Sequence, residues 1–108
     1  MAMTFDHVAL QVPDIGAAIE WYTRTIPECR VLYQDETWGL VEAGGARLAF
    51  VLPDQHPGHV AWRVSAEELV ELATRHAVTI REHRDGSRSF YLKAPGNQWL
   101  EIVAFPDR

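Results

Sequence analysis

The chain has one cysteine among its 108 residues, so no internal disulfide can staple it, and a reducing compartment suits it. Cys29 lies in Glu28-Cys29-Arg30, with no histidine or predicted helix N-terminus beside it to lower its pKa; a structural thiol is the simpler reading. No run of about 18 apolar residues exists, so no membrane-spanning helix is expected. The first residues do not form a charged-then-apolar leader, and a cytoplasmic protein is the expectation. A basic cluster is lacking too. Ten Lys and Arg are scattered among fifteen Asp and Glu, and a net charge of −5 speaks against a nucleic-acid or anionic-membrane surface. There is no low-complexity tract.

What is present is core material. Apolar residues make up 47% of the chain, four of them Trp. A chain of this size buries roughly 65% of its unfolded surface, enough for one compact domain and too little for two independent ones.

The strongest pattern is a repeat. His7-Val8-Ala9-Leu10-Gln11-Val12 and His59-Val60-Ala61-Trp62-Arg63-Val64 stand 52 residues apart (59 − 7 = 52). At the same spacing Gly44 falls on Gly96, Leu48 on Leu100 and Val51 on Val103, which predicts a register without insertion or deletion. A fixed period of this length marks a duplicated supersecondary unit.

Each unit reads as β-α-β-β-β. Phe5 to Val12 is a short apolar strand ending at Pro13-Asp14. Asp14 can cap a helix whose Ile15, Ala18, Ile19, Tyr22 and Ile26 follow helical spacing, and Pro27 stops it. Strand-like runs follow at Arg30–Asp35, Trp38–Glu42 and Arg47–Leu52, the last two joined by Gly44-Gly45. In the second unit, His59–Val64 is the strand and Ser65-Ala66-Glu67-Glu68 a capping box. The helix turns Leu69, Leu72 and Ala73 inward. Strands are expected at Val78–Arg84, Arg88–Lys93 and Gln98–Phe105, with turns at Asp85-Gly86 and Gly96-Asn97. The expected organisation is a first module at 4–52, a stiff linker at 53–57 and a second module at 58–105.

Alternation along strands sets the chemistry. His7 should share a face with Phe5, Ala9 and Gln11, and His59 with Ala61 and Arg63. Glu101 should lie with Trp99, Val103 and Phe105. The helices must cover the purely apolar faces, which leaves His7, His59 and Glu101 on the other side. Adding 52 to Ala49 gives Glu101, so a carboxylate stands where the first unit has a methyl group. An unpaired carboxylate among such neighbours is costly to bury, and a cation offsets that cost. Two imidazoles and one carboxylate, with coordination positions left open, form the facial arrangement of non-haem iron(II) oxygenases. The alternative is three separate accommodations: two hydrogen-bonded core histidines, and a glutamate paired with Arg63.

The paired β-α-β-β-β units, the His-Val-Ala at the head of each, and the closing Ala94-Pro95-Gly96-Asn97-Gln98-Trp99-Leu100-Glu101 together resemble the vicinal oxygen chelate superfamily. That group includes glyoxalase I, extradiol dioxygenases, fosfomycin-resistance enzymes, methylmalonyl-CoA epimerase and bleomycin-resistance proteins. The resemblance covers essentially the whole chain. It implies an α+β fold whose curved sheets enclose a cup-shaped metal site. It also implies metal ligands at His7, His59 and Glu101, and a small-molecule substrate bound through vicinal oxygens. The usual Asp-Pro-Asp-Gly-Asn turn is degraded here to Ala94-Pro95-Gly96-Asn97-Gln98. Dimeric members of the family lead us to expect a homodimer, with His7 of one protomer meeting His59 and Glu101 of the other.

Within that family the residues narrow the choice. Glyoxalase- and epimerase-like members use a fourth ligand at the position of Ala49, which cannot coordinate. Fosfomycin-resistance enzymes carry a hydroxyl residue where Ala9 stands. Bleomycin-resistance proteins lack the ligands altogether, although Trp38, Trp62 and Trp99 would suit a flat ligand in a metal-free binding protein. The extradiol signature resembles the run from His83 through Phe90-Tyr91 and Pro95 to Glu101, with Asn97 and Arg81 as departures. This makes Tyr91 and His83 the candidate catalytic groups, and Gln11, Arg63 and Trp99 the candidate substrate contacts. The expected cofactor is a divalent metal, Fe(II) or Mn(II) ahead of Ni(II) or Zn(II). Dioxygenase-type chemistry leads, a glyoxalase- or epimerase-type isomerase follows, and a metal-free ligand-binding module is third.

Overall fold

The computed structural model describes residues 2–106. Among them are β1 (Thr4–Gln11), α1 (Ile15–Thr25), β2 (Arg30–Gln34), β3 (Trp38–Ala43), β4 (Ala46–Val51), β5 (His59–Arg63), α2 (Ala66–His76), β6 (Arg81–Glu82), β7 (Arg88–Ala94) and β8 (Gln98–Ala104). The fold is α+β, with β-α-β-β-β occurring twice. In the unit of His7–Val60 the strand order is β2-β3-β4-β1, and in the other unit β8, β7 and β6 lie side by side. No helix among the described residues is long and apolar enough to cross a membrane. By contacts the chain divides into two compact units, one of His7–Val60 and the other of the residues before His7 with those from Ala61 on.

In the unit of His7–Val60, Asp14 caps α1 by accepting a hydrogen bond from Ala17 N at 2.9 Å. The helix turns Ile15 and Ile19 onto Val41 and Phe50. β1 runs parallel to β4, with Val8 opposite Leu48 and Ala9 opposite Ala49, as a helical crossover requires. β3 lies antiparallel to β4. On the sheet face away from α1, Ala9, Ala49 and Val51 form a small cluster with Leu40.

In the other unit the predicted capping box is present: Ser65 Oγ accepts from Glu68 N, and Glu68 Oε1 accepts from Ser65 N. Leu69, Leu72 and Ala73 pack on Phe90, Ile102 and Ala104. Phe90 is fully buried, as Phe50 is in its own unit, and burying such a side chain stabilises by roughly 1.5–3 kcal/mol.

Three expectations need correction. The run 78–84 forms only the two-residue β6, because Val78 N is bonded to Ala73 O at the end of α2, and Val78 and Ile80 pack on the helix-side cluster. The repeat is not free of insertions. The β3–β4 turn holds two residues, Gly44 and Gly45, whereas the β7–β8 turn holds three, Pro95, Gly96 and Asn97. Phe5, placed by alternation on the face of His7, instead meets the helix-side Trp62 edge-on, with ring centroids 5.4 Å apart. Its neighbour Asp6 is buried and pairs with Arg63, since a carboxylate out of water needs its cation.

Candidate metal and acid–base site

His7 opens the unit of His7–Val60, and His59 stands near its end. Their Nε2 atoms lie 3.1 Å apart, with the rings inclined at 75°. His59 Nδ1 is 3.0 Å from Pro57 O. A carbonyl only accepts, so Nδ1 is the donor, and in the neutral ring Nε2 is the nitrogen with the free lone pair. The Pro-bounded loop therefore fixes the tautomer that a metal-ligating histidine uses. Gln11 Nε2 donates to His56 O at 2.9 Å, tying the end of β1 to that loop. The position equivalent to Glu101 is Ala49, buried beside Ala9.

In the other unit, Glu101 is 5% exposed on β8, directly across from Tyr91 on β7. Tyr91 is hydrogen-bonded to both Glu101 and Ser89. Burial, reinforced by the Glu101 carboxylate, holds the phenol well above its ordinary pKa, so it remains a donor. His83 Nε2 lies 2.7 Å from Ser89 Oγ and 3.9 Å from Glu101 Oε2. Tyr91 and His83 are thus gathered at Glu101. Ser89 was not foreseen. Its place two residues before Tyr91, on the same strand face, was the available signal.

The remaining candidates are elsewhere. Arg63 Nε lies 3.6 Å from Asp6 Oδ1, and the guanidinium sits 4.2 Å over the Phe105 ring, so Asp6 takes the place expected of Glu101 as its ion-pair partner. Glu42 pairs with Arg30. Trp99 carries the Lys93 ammonium 5.6 Å over its ring. An open depression of about 640 Å³ near the start of α1, lined in part by Asp14, Asp35 and Glu36, contains none of the predicted site residues. Two of its carboxylates are spent locally: Asp14 caps α1, and Asp35 accepts from Tyr33, Thr37 and Trp38.

No family model and no curated protein matches the sequence. Solved structures do. Methylmalonyl-CoA epimerase from Mycobacterium tuberculosis is 20% identical over 96% of this chain and 89% of its own, with a TM-score of 0.73. A glyoxalase/bleomycin resistance protein/dioxygenase superfamily member from Vibrio splendidus 12B01 is 13% identical over 95% and 99%, at 0.70. A catechol 2,3-dioxygenase is 17% identical over 96% of this chain but only 40% of its own, at 0.58. The chain has the vicinal oxygen chelate fold.

Proposed function

We propose that the protein is a divalent-metal-dependent enzyme whose ion is held by His7, His59 and Glu101, and that it binds a small substrate through two adjacent oxygens. The observation that carries this reading is the 3.1 Å separation of His7 Nε2 and His59 Nε2. Two nitrogen ligands at about 2.1 Å from one ion, about 90–110° apart, are separated by roughly 3.0–3.4 Å. The donor set fits: two imidazoles that can be neutral and a buried carboxylate supply one negative charge against two positive. The ion, when bound, polarises the substrate oxygens and stabilises negative charge that develops on them. His7 and His59 meet within one chain, so their pairing needs no residue from a second copy. We keep a cytoplasmic homodimer as part of the proposal, tested by the solution mass.

Dioxygenase-type chemistry with Fe(II) or Mn(II) is favoured by two features. Ala49 offers no fourth ligand, so coordination positions stay open. Tyr91 and His83 supply a donor and an acid–base group beside Glu101. The same pair could move a proton on a carbon acid, and Ni(II) or Zn(II) would suit that isomerase chemistry. Gln11, Arg63 and Trp99 stay as proposed substrate contacts, with Arg63 suited to an anionic oxygen.

The test is elemental analysis of untagged protein purified without oxygen, followed by assay. Near one Fe or Mn per chain with catechol turnover supports the reading. Ni or Zn with methylglyoxal–glutathione turnover moves it to isomerase chemistry. No metal, even after soaking with all four ions, overturns it in favour of a metal-free binding protein.

A further inference from the structure

Ser89 is fully buried, polar and joined to two groups of the site, and nothing so far assigns it a role. It links His83, in the turn before β7, to Tyr91 on β7, and Tyr91 reaches Glu101 on β8. The direction of each hydrogen bond follows from the donor inventory. Tyr91 stands opposite Glu101, and the bond between them favours the protonated phenol, so Tyr91 donates its proton to Glu101. The phenol oxygen, its one proton committed, can only accept from Ser89. The Ser89 proton is then spent on Tyr91, so Ser89 Oγ is the acceptor at 2.7 Å from His83 Nε2.

We propose that Ser89 is a positioning residue: it locks His83 as the Nε2–H tautomer and holds the Tyr91 hydroxyl on Glu101. With Nε2 protonated, Nδ1 is the ring's acceptor, which fixes the nitrogen that can take a proton from outside the cluster. The side chain of His83 is 35% exposed and can meet a substrate, whereas Ser89 is sealed from it. Ser89 therefore acts through its neighbours rather than on the reacting atoms. A hydrophobic residue of similar size would fill the same space and leave both neighbours unaligned.

The catalytic meaning of this lock rests on the reading of Glu101 as a ligand; the lock itself does not. The experiment is a long-range proton–nitrogen NMR spectrum of the full-length chain carrying nitrogen-15 histidine. It is recorded over a series of pH values, with and without Zn(II). Wild type should show the Nε2–H pattern for His83. Ser89→Ala should give a mixture of tautomers, and Ser89→Thr should restore the single one. Tyr91→Phe removes the acceptor of the Ser89 proton without touching Ser89 packing, so it should also release the lock; it serves if Ser89→Ala fails to fold. In the metal-loaded enzyme, Ser89→Ala should lower kcat by roughly 10–100-fold with KM little changed, the range typical of groups behind a metal site.

An Nδ1–H pattern in wild type overturns the proposal, as does an Nε2–H pattern that persists in both variants. A purely packing role would lower Tm and leave the tautomer unmoved. A correct tautomer in a chain that binds no metal overturns only the ligand reading. Bound metal with an unlocked tautomer overturns only the role of Ser89.

Discussion

Tyr91 and Glu101 are cross-strand neighbours on β7 and β8, the phenol donating to a carboxylate that is almost wholly buried. The corresponding pair in the other unit is Leu40 opposite Ala49. One copy of the hairpin carries the polar machinery, and the other carries an apolar wall.

Tyr91→Phe keeps the ring and removes the donor. We expect metal content to hold while kcat falls by about 10²–10⁴, the usual contribution of a positioned acid–base group. Turnover and elemental analysis of the same preparation check this; unchanged turnover would remove Tyr91 from the mechanism.

His59→Ala should abolish stoichiometric metal binding and leave circular dichroism nearly unchanged, because the ring is anchored to a loop carbonyl rather than packed in a helix-side cluster. The loss should exceed the roughly 10–100-fold expected from altering an outer partner. Competition with a chelating dye measures it. Full occupancy in the mutant would exclude His59 from the ligand set.

Gly39→Ala tests the packing of α1. A Cβ there would lie 2.5 Å from Ile19 Cδ1 and 3.1 Å from Ile15 Cγ2, both on core side chains. Overpacking of this kind costs about 1–3 kcal/mol, and denaturant unfolding should show it as a lower midpoint with an unchanged m value.

Arg63 is a cation 3.6 Å from the buried Asp6 carboxylate. Arg63→Ala should destabilise by about 1–2 kcal/mol, below the 3–5 kcal/mol of a fully buried pair because the arginine side chain is 47% exposed. Adding Asp6→Asn to Arg63→Ala should recover part of the loss, and a double-mutant cycle reads the coupling.

Acid should weaken the fold through local turns and caps. The Tyr33 hydroxyl, with Thr37 and Trp38, holds Asp35 far below the ordinary carboxylate range. Glu68 is lowered chiefly by Ser65 N–H. At Asp85, burial works upward but is outweighed by the hydroxyl and N–H of Ser87. All three bind protons more readily when unfolded. Their contribution is therefore present above the unfolded carboxylate pKa and lost as pH falls through the lower folded values. Tm should decline steadily below about pH 4, where ordinary carboxylates titrate, and substituting Asp35 with Asn should flatten that decline.

Much of this was legible in the sequence because its signals were local or periodic. Asp14 and Ser65 announced both helix starts, and the turn glycines announced the hairpins. The spacing of His7 and His59 announced their meeting. What escaped notice depended on neighbours distant in sequence. Ser89 looks like any strand serine until His83 folds back on it. Asp6 carries no local mark of burial, because its cation Arg63 stands far away in the sequence. The short β6 was misjudged because Val78 and Ile80 carry strand propensity yet serve the helix-side core.

The extra residue of the second hairpin lies at its tip, among Pro95, Gly96 and Asn97, rather than within a strand. Strand side chains alternate with period two, so one residue added inside β7 would have turned Tyr91 toward the helix and brought Phe90 or Leu92 to Glu101. Added at the tip, it left the parity of every side chain intact. After duplication, the two copies could drift in length only where parity is not at stake, which makes the hairpin tips the natural places to graft new loops onto this chain.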